Sequence, residues 1–404
     1  MAKSPPGKDD ALLQRVARYP TVALVLQGGG ALGAYQCGVY QSLHDAGIEP
    51  NWIAGISIGA INAALIAGNP PEHRLDALQG FWDDICQPAG NAALPALWVR
   101  TMLGSIPTTP GLDAWAASAS AFAALWQGQQ GFFTPRLVPP FALSNGSPQA
   151  TSFYDTSALH DSLERRVDFD RINSGKDGMR LTVGAVDVES GNFRYFDSLH
   201  DRIGPAHIMA SGALPPAFPA VRIEGREYWD GGLVSNTPLE HVLDGWPRQD
   251  TLAFQVDLWS ARGEIPKTLM DVLERAKDIQ YSSRTRHGTD MVARTQELRT
   301  TLTKLIEHLP DGKVPEEFKD VLAPWLDDRV FNIVHLIYQA NPCEEQFKDY
   351  AFGTRMMREH WDAGLADTSR TLQHPEFFDL PDRRKGFALH DVHRRIQKTR
   401  PTDF

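Results

Sequence analysis

Residues 21–33 read TVALVLQGGGALG, and residues 52–60 read WIAGISIGA. Thr21–Leu26 is a continuous apolar, β-rich run without polar alternation, the pattern of a strand buried on both faces of a parallel sheet. The glycines lead into ALGAYQCGVYQSLHDAG, where Val39, Leu43 and Ala46 recur at helical spacing and Gly47 stands as a stop. Trp52–Ile56 then predicts a second strand, and Ile58–Ala67 a helix of small residues. Strand, helix, strand, helix in so short a span is a βαβ unit, so the sheet is parallel here and its crossover right-handed.

Outward from this unit, β-type patterns resume at Arg180 with RLTVGAVDV, GNFRYFDS and REYWDGG. Asn332–Tyr338 reads as a late strand that adds to the sheet. Between these lies Ile265–Leu309, long, heptad-like and charged on its polar faces, which predicts helices with a solvated face. The segment from about 91 to 150 is different: rich in Ala, Pro and aromatics (Trp98, Trp115, Phe122, Trp126, Phe132, Phe133, Phe141) and poor in charge. It fits either an irregular insertion packed on the core or an apolar cap over a cleft. The end is basic, with Arg383, Arg384, Lys385, Arg394, Arg395, Lys398 and Arg400, and Leu389, Val392 and Ile396 on one helical face. Such a tail is either solvated or a contact for anionic lipid.

Composition narrows the function. The 404 residues carry 40 Lys+Arg against 50 Asp+Glu, a net charge of -10, so the global electrostatic footprint of a nucleic-acid binder is absent. Cys37, Cys86 and Cys343 are widely spaced and odd in number, which excludes a disulfide scaffold or cysteine-rich zinc module and suits a reducing compartment. The first residues lack a signal-peptide pattern. Trp52–Ala67 falls short of the roughly 20 residues a membrane span needs. These features predict a soluble, cytoplasmic protein, with peripheral membrane contact and oligomeric state left open. No cofactor or metal is expected: His390 and His393 form an i,i+3 pair without a nearby third ligand.

Three motifs carry chemistry. Gly28-Gly29-Gly30-Ala31-Leu32-Gly33 satisfies the G-x-G-x-x-G dinucleotide pattern, but the second strand ends in Gly55-Ile56-Ser57, without the acid that would hold a ribose. Glycine N–H groups at a helix start can instead surround an oxyanion. Gly55-Ile56-Ser57-Ile58-Gly59 is a G-x-S-x-G between strand and helix, the setting of a nucleophile elbow, with small residues where bulk would clash. Asp230-Gly231-Gly232 taken alone is a hairpin turn, but it also offers a serine its base with close backbone approach.

GGGALG, GISIG and DGGLVSNTP in that order resemble the patatin-like phospholipase family, as do HIMASGALPPAFP and VDVESGNFRYFD. The resemblance covers roughly residues 20–260, and FKDYAFGTRMMREHWDAG resembles a C-terminal extension in a bacterial branch of the family. It implies an α/β fold: three α/β/α layers, a mainly parallel central sheet and a helical C-terminal extension. The division it implies is an arm at 1–19, a catalytic domain at 20–260 with the insertion at about 91–150, an extension at 261–380 and the basic tail at 381–404. It further implies a Ser–Asp dyad with Ser57 as nucleophile, Asp230 as base and Gly28, Gly29 and Gly30 as the oxyanion hole. Gly33, Gly55, Gly59, Gly231 and Gly232 support the motifs. The chain departs from the family in carrying Leu32 where members often have Arg or Lys.

The implied activity is hydrolysis of fatty-acyl esters of phospholipids or related lipids through an acyl-enzyme. Acyl transfer or thioester hydrolysis on the same dyad, and non-catalytic lipid binding on the same fold, are the alternatives. A Ser-His-Asp arrangement drawing on His207 or His241 is the nearest rival mechanism. A free Asp, with a pKa near 3.9, is a feeble base at neutral pH. The reading therefore requires an apolar surround for Asp230, for which the insertion and Trp229 are candidates.

Overall fold

The apolar run Thr21–Leu26 (β1) and Trp52–Gly55 (β2) pair in parallel, Leu26 opposite Gly55, joined by the helix Ala34–Asp45. The structure is a computed structural model describing residues 8–86, 128–310, 314–339, 348–350 and 352–391. The other strands are β3 (Thr134–Pro135), β4 (Tyr154–Asp155), β5 (Arg180–Asp187), β6 (Phe193–Asp197), β7 (Val221–Ile223), β8 (Arg226–Asp230), β9 (Thr251–Asp257), β10 (Phe331–Ile337) and β11 (Phe387–Asp391). β3 and β4 form a small ladder of their own. The rest make a nine-stranded sheet in the order β11-β10-β9-β1-β2-β5-β8-β7, with β6 on β5. From β11 to β5 every pairing is parallel, whereas β6 and β8 pair antiparallel with β5, and β7 antiparallel with β8.

The sheet is covered on both faces, as runs without polar alternation require. Val22, Leu24 and Leu26 join one apolar cluster, and Ala23 and Val25 another. The larger cluster takes in Ala34–Asp45, Ile58–Ala67 and Arg74–Cys86, and the smaller one Leu239, Val242 and Leu243. This is the three-layer α/β/α arrangement.

The C-terminal residues build into the same sheet. β10 pairs with β9 as the late-strand pattern predicts, and the helix Thr354–Leu372 crosses Ala34–Asp45 at a pair of glycines. A side chain on Gly38 would overlap the Trp361 carbonyl, and one on Gly364 the Tyr35 carbonyl. Two expectations are corrected. Leu389 belongs to no helical face: Phe387–Asp391 is a strand, parallel to β10, because its residues extend a ladder whose hydrogen-bonding edge β10 leaves open. The heptad-like region is one helix, Leu269–Glu307, opened by a Thr268/Asp271 capping box. Its outer face is not purely polar. Leu269, Leu298 and Leu305 are exposed, while Ser282, Thr289, Gln296 and Thr300 are buried, so the face against the body is largely small and polar. The tail beyond 391, most of the insertion (Trp98, Trp115, Phe122 and Trp126 included), and Cys343 lie outside the described residues.

Candidate active site

β2 ends at Gly55, and two residues on the chain reverses into Ile58–Ala67. Ser57 makes that reversal at φ 56°, ψ −124°, a conformation that side-chain-bearing residues rarely adopt. The flanking glycines have a steric cause. A side chain on Gly55 would overlap the Gly59 backbone, and one on Gly59 the Leu26 carbonyl, so the turn closes only when both lack Cβ. Gly33 likewise leaves room for Ile58, whose Cγ1 would lie 2.5 Å from a Cβ there.

The glycine loop leaves β1 beside this turn, close enough that a Cβ on Gly28 would sit 3.0 Å from the Ser57 Cβ. Its three glycines are not equivalent. The Gly28 N–H donates to the Asn236 carbonyl at 3.3 Å, and the Gly28 carbonyl accepts from Asn236 Nδ2 at 3.0 Å and Trp259 Nε1 at 2.8 Å. Among the described residues, the N–H groups of Gly29 and Gly30 have no protein acceptor. Gly30 has φ 57° and opens the short helical turn Gly30–Gly33. Leu32 is fully buried in the core and does not line the cleft, so the side chain at the departing position serves packing.

Asp230 arrives along the same edge of β5 that β2 pairs with. β2 occupies one edge of β5 as far as Val183, β6 the opposite edge, and β8 takes over where β2 has ended, with Asp230 opposite Ala185. The end of one strand and the end of its antiparallel successor thus meet on one stretch of β5. Gly231 allows the approach, since a Cβ there would lie 2.6 Å from the Gly184 carbonyl. The Asp230 carboxylate is buried, and its Oδ1 accepts from the Gly232 N–H at 2.7 Å. Burial pushes its pKa up to about 7, against the opposing hydrogen bonds from the Gly232 N–H and the Ser57 side chain. A carboxyl so placed is a competent proton acceptor near neutrality.

Ser57, Asp230 and the glycine loop line one cleft of about 750 Å³, its open mouth included. Its other walls are Ile58, Ile61, Phe132, Phe133, Leu214, Phe218, Trp259, Tyr281, Tyr350 and Phe352. Among the described residues that line the cleft there is no histidine. His207 Nδ1 accepts from the Gly204 N–H at 3.0 Å, and His241 stacks on Tyr195 beside Asp197. Trp229 does not supply the apolar surround. Strand alternation turns it away from Asp230, whereas Phe132 and Phe133 of the insertion line the cleft that Asp230 shares. His390 stacks on Phe377, far along the sheet from the cleft, and its partner His393 lies outside the described residues.

Three site residues have roles the motifs alone do not assign. Ser211 Oγ accepts from the Ser57 N–H at 3.1 Å and steadies the strained turn. Asn236 and Trp259 fasten the glycine loop through Gly28. Ser211 and Asn236 stand inside MASGALPP and DGGLVSNTP, so a signal was present, whereas Trp259 carries none.

A family model described as patatin-like phospholipase matches residues 24–243. The chain belongs to the patatin-like phospholipase family. A second model, described as patatin phospholipase, matches residues 279–384. The patatin-like chain is 55% identical over 47 residues to lysophospholipase nte1 of Aspergillus terreus, covering 12% of this chain and 3% of that protein. Over 59 residues it is 44% identical to patatin-like phospholipase domain-containing protein 6 of Homo sapiens, covering 15% of this chain and 4% of that one. To triacylglycerol lipase ptl3 of Schizosaccharomyces pombe it is 44% identical over 59 residues, 15% of this chain and 12% of that protein. The matches therefore span a small part of these relatives' length. Among solved structures, VipD from Legionella pneumophila aligns with a TM-score of 0.38 and 16% identity over 87% of this chain and 67% of that one.

Proposed function

We propose that this protein is a serine hydrolase of fatty-acyl esters. The observation that carries the reading is Ser57, held at a left-handed φ between strand and helix and facing a buried carboxyl whose pKa lies near 7, in an aromatic-lined cleft. Ser57 Oγ attacks the ester carbonyl carbon while Asp230 takes its proton. The tetrahedral oxyanion lies against the Gly29 and Gly30 N–H groups, at a helix start whose dipole favours negative charge. As the carbon–oxygen bond to the alcohol breaks, Asp230 returns the proton to the leaving oxygen. Water then repeats the sequence on the acyl-enzyme, freeing the fatty acid and restoring Ser57 and Asp230. The phenyl rings and aliphatic side chains suit an acyl chain, which supports a lipid-type ester over a small polar one.

Peripheral contact with a lipid surface is part of this reading. Among the described residues no helix is long and apolar enough to cross a membrane. The segment that brings Phe132 and Phe133 into the cleft continues into Leu137, Val138 and Phe141, which project into solvent, Phe141 at 84% exposure. Exposed apolar side chains on a segment that also lines the cleft suit contact with a bilayer that supplies the substrate.

The test is hydrolysis of p-nitrophenyl esters of graded chain length by wild type and Ser57→Ala, with mass analysis after a fluorophosphonate probe. We expect labelling on Ser57, loss of turnover in the variant and a preference for longer chains. Absence of both turnover and labelling would sink the hydrolase reading and leave a lipid-binding cleft. For the surface, Leu137→Ser/Phe141→Ser should weaken co-sedimentation with phospholipid vesicles while sparing soluble-ester hydrolysis, and unchanged sedimentation would refute the contact.

A further inference from the structure

FKDYAF, residues 347–352, belongs to the C-terminal extension, to which neither the motifs nor the mechanism above assigns a role. Lys348–Tyr350 forms a single turn seated on the glycine loop, its Asp349 carbonyl standing where a side chain on Gly30 would be. Three ion pairs clamp the turn to the helix Leu269–Glu307. Lys348 Nζ lies 2.7 Å from Asp278 Oδ1, and Lys277 Nζ 2.7 Å from Asp349 Oδ2. Lys348 is buried and also reaches Glu274 Oε1 at 3.3 Å. The Lys277 ammonium sits 4.9 Å from the centre of the Tyr350 ring. The clamp thus delivers Tyr350 and, just beyond it, Phe352 to the cleft wall.

That wall has two chemistries. Phe132 packs on Phe133 and Phe352 at ring-centre distances of 5.3 and 6.0 Å, and both Phe132 and Phe133 pack on Phe218. The other group is Trp259, Tyr281 and Tyr350, each with a polar atom on its ring. The Tyr350 hydroxyl has no protein hydrogen-bond partner among the described residues. Burial raises its pKa, and the charges of Asp349 and Asp230 push the same way, so it stays a protonated donor in the cleft it shares with the proposed base. The residue is only partly buried and lines the cleft, so its hydroxyl is a donor that a ligand oxygen entering the cleft can meet.

We propose that the C-terminal turn completes the substrate site and that the Tyr350 hydroxyl donates a hydrogen bond to the alcohol half of the ester. This rests on the Ser57–Asp230 reading: the leaving oxygen must lie beside Asp230 to recover its proton, and Tyr350 lines the same cleft as that carboxyl. The acyl half then falls to the phenylalanine cluster. Lys277 is a positioning residue that acts through Tyr350.

The test compares 1-monooctanoylglycerol with p-nitrophenyl octanoate, which share an acyl chain and differ in the alcohol. Tyr350→Phe should lower kcat/KM for the glyceryl ester about tenfold more than for the nitrophenyl ester, the loss of one neutral hydrogen bond. Lys277→Met should shift the same ratio in the same direction, and the double variant should shift it no further than Tyr350→Phe alone. Equal losses on both esters, or an unchanged ratio in an active enzyme, would overturn the assignment of Tyr350. A wild type inert to both esters and to a fluorophosphonate would bring down the hydrolase reading itself, and this inference with it.

Discussion

Asp197 and Asp230 end β6 and β8, two strands on opposite edges of β5, and both carboxyls are buried. Burial acts on them alike and their neighbours do not. Asp197 receives Arg180 through two nitrogens, at 2.8 and 2.7 Å, with the Thr182 hydroxyl at 2.8 Å and His241 Nε2 at 3.3 Å. Burial alone would raise its pKa, but the hydrogen bonds of His241 and Arg180 and the Arg180 charge outweigh it and hold the group well below the carboxylate range. Among the described residues Asp230 has no cation to answer its burial, only the Gly232 N–H and the Ser57 side chain, and rises to about 7. One carboxylate braces the sheet, and the other is left basic enough to take a proton.

Substitutions test this contrast directly. Ser57→Ala should have the largest effect, lowering kcat by at least about 10⁴-fold in ester turnover assays, since it removes the proposed nucleophile and with it the proposed acyl-enzyme route. Asp230→Asn should come next, at about 10³- to 10⁴-fold, with thermal stability equal to or above wild type because a buried ionisable group becomes neutral. Asp197→Asn should invert that pattern. Fluorophosphonate labelling of Ser57 should persist, while urea unfolding shows a loss of about 3 kcal/mol from the half-buried Arg180 left without its partner. A fully active Asp230→Asn enzyme, or an Asp197→Asn enzyme of unchanged stability, would break the comparison.

The pH dependences should run in opposite directions. The Asp230 pKa is higher folded than unfolded, so the folded state holds the extra proton between about 4 and 7. Its contribution to stability is therefore lost as pH rises through that window. The Asp197 pKa is lower folded, so its contribution is present above the ordinary carboxylate value and lost as pH falls below it. Denaturant midpoints measured from about pH 2 to 8 should show the Asp230 slope vanish in Asp230→Asn and the acid-side loss shrink in Asp197→Asn. If Asp230 is the base we propose, turnover depends on its deprotonated form, and kcat/KM should fall about tenfold per pH unit below 7. A profile flat from pH 5 to 8 would remove Asp230 from the role of base.

Much of this was legible in the chain. TVALVLQGGG and GISIG each combine a periodicity with a steric demand, and both demands are local: a strand without alternation must be covered twice, and a strand-to-helix reversal within two residues needs glycine on either side. Trp229 misled because adjacency in sequence is opposition in a strand, where neighbouring side chains face opposite ways. Leu389 misled because five residues of a basic segment carry too little pattern to separate one helical turn from an edge strand. The exposed leucines of Leu269–Glu307 escaped notice because its buried face is built from Ser, Thr and Gln, the reverse of the usual distribution.

Sequence alone therefore determined the parallel sheet, the strained serine, the glycine loop and the presence of an aspartate motif, all of which depend on contacts within a few residues. Only the tertiary structure decided that β8 follows β2 along one edge of β5, which brings Asp230 to Ser57 from more than 150 residues away. It alone left Asp230 without a cation among the described residues while giving Asp197 two basic partners, and it alone seated Lys348–Tyr350 on Gly30. Strand order, desolvation and charge pairing are properties of packed surfaces, and no local pattern encodes which surfaces will meet.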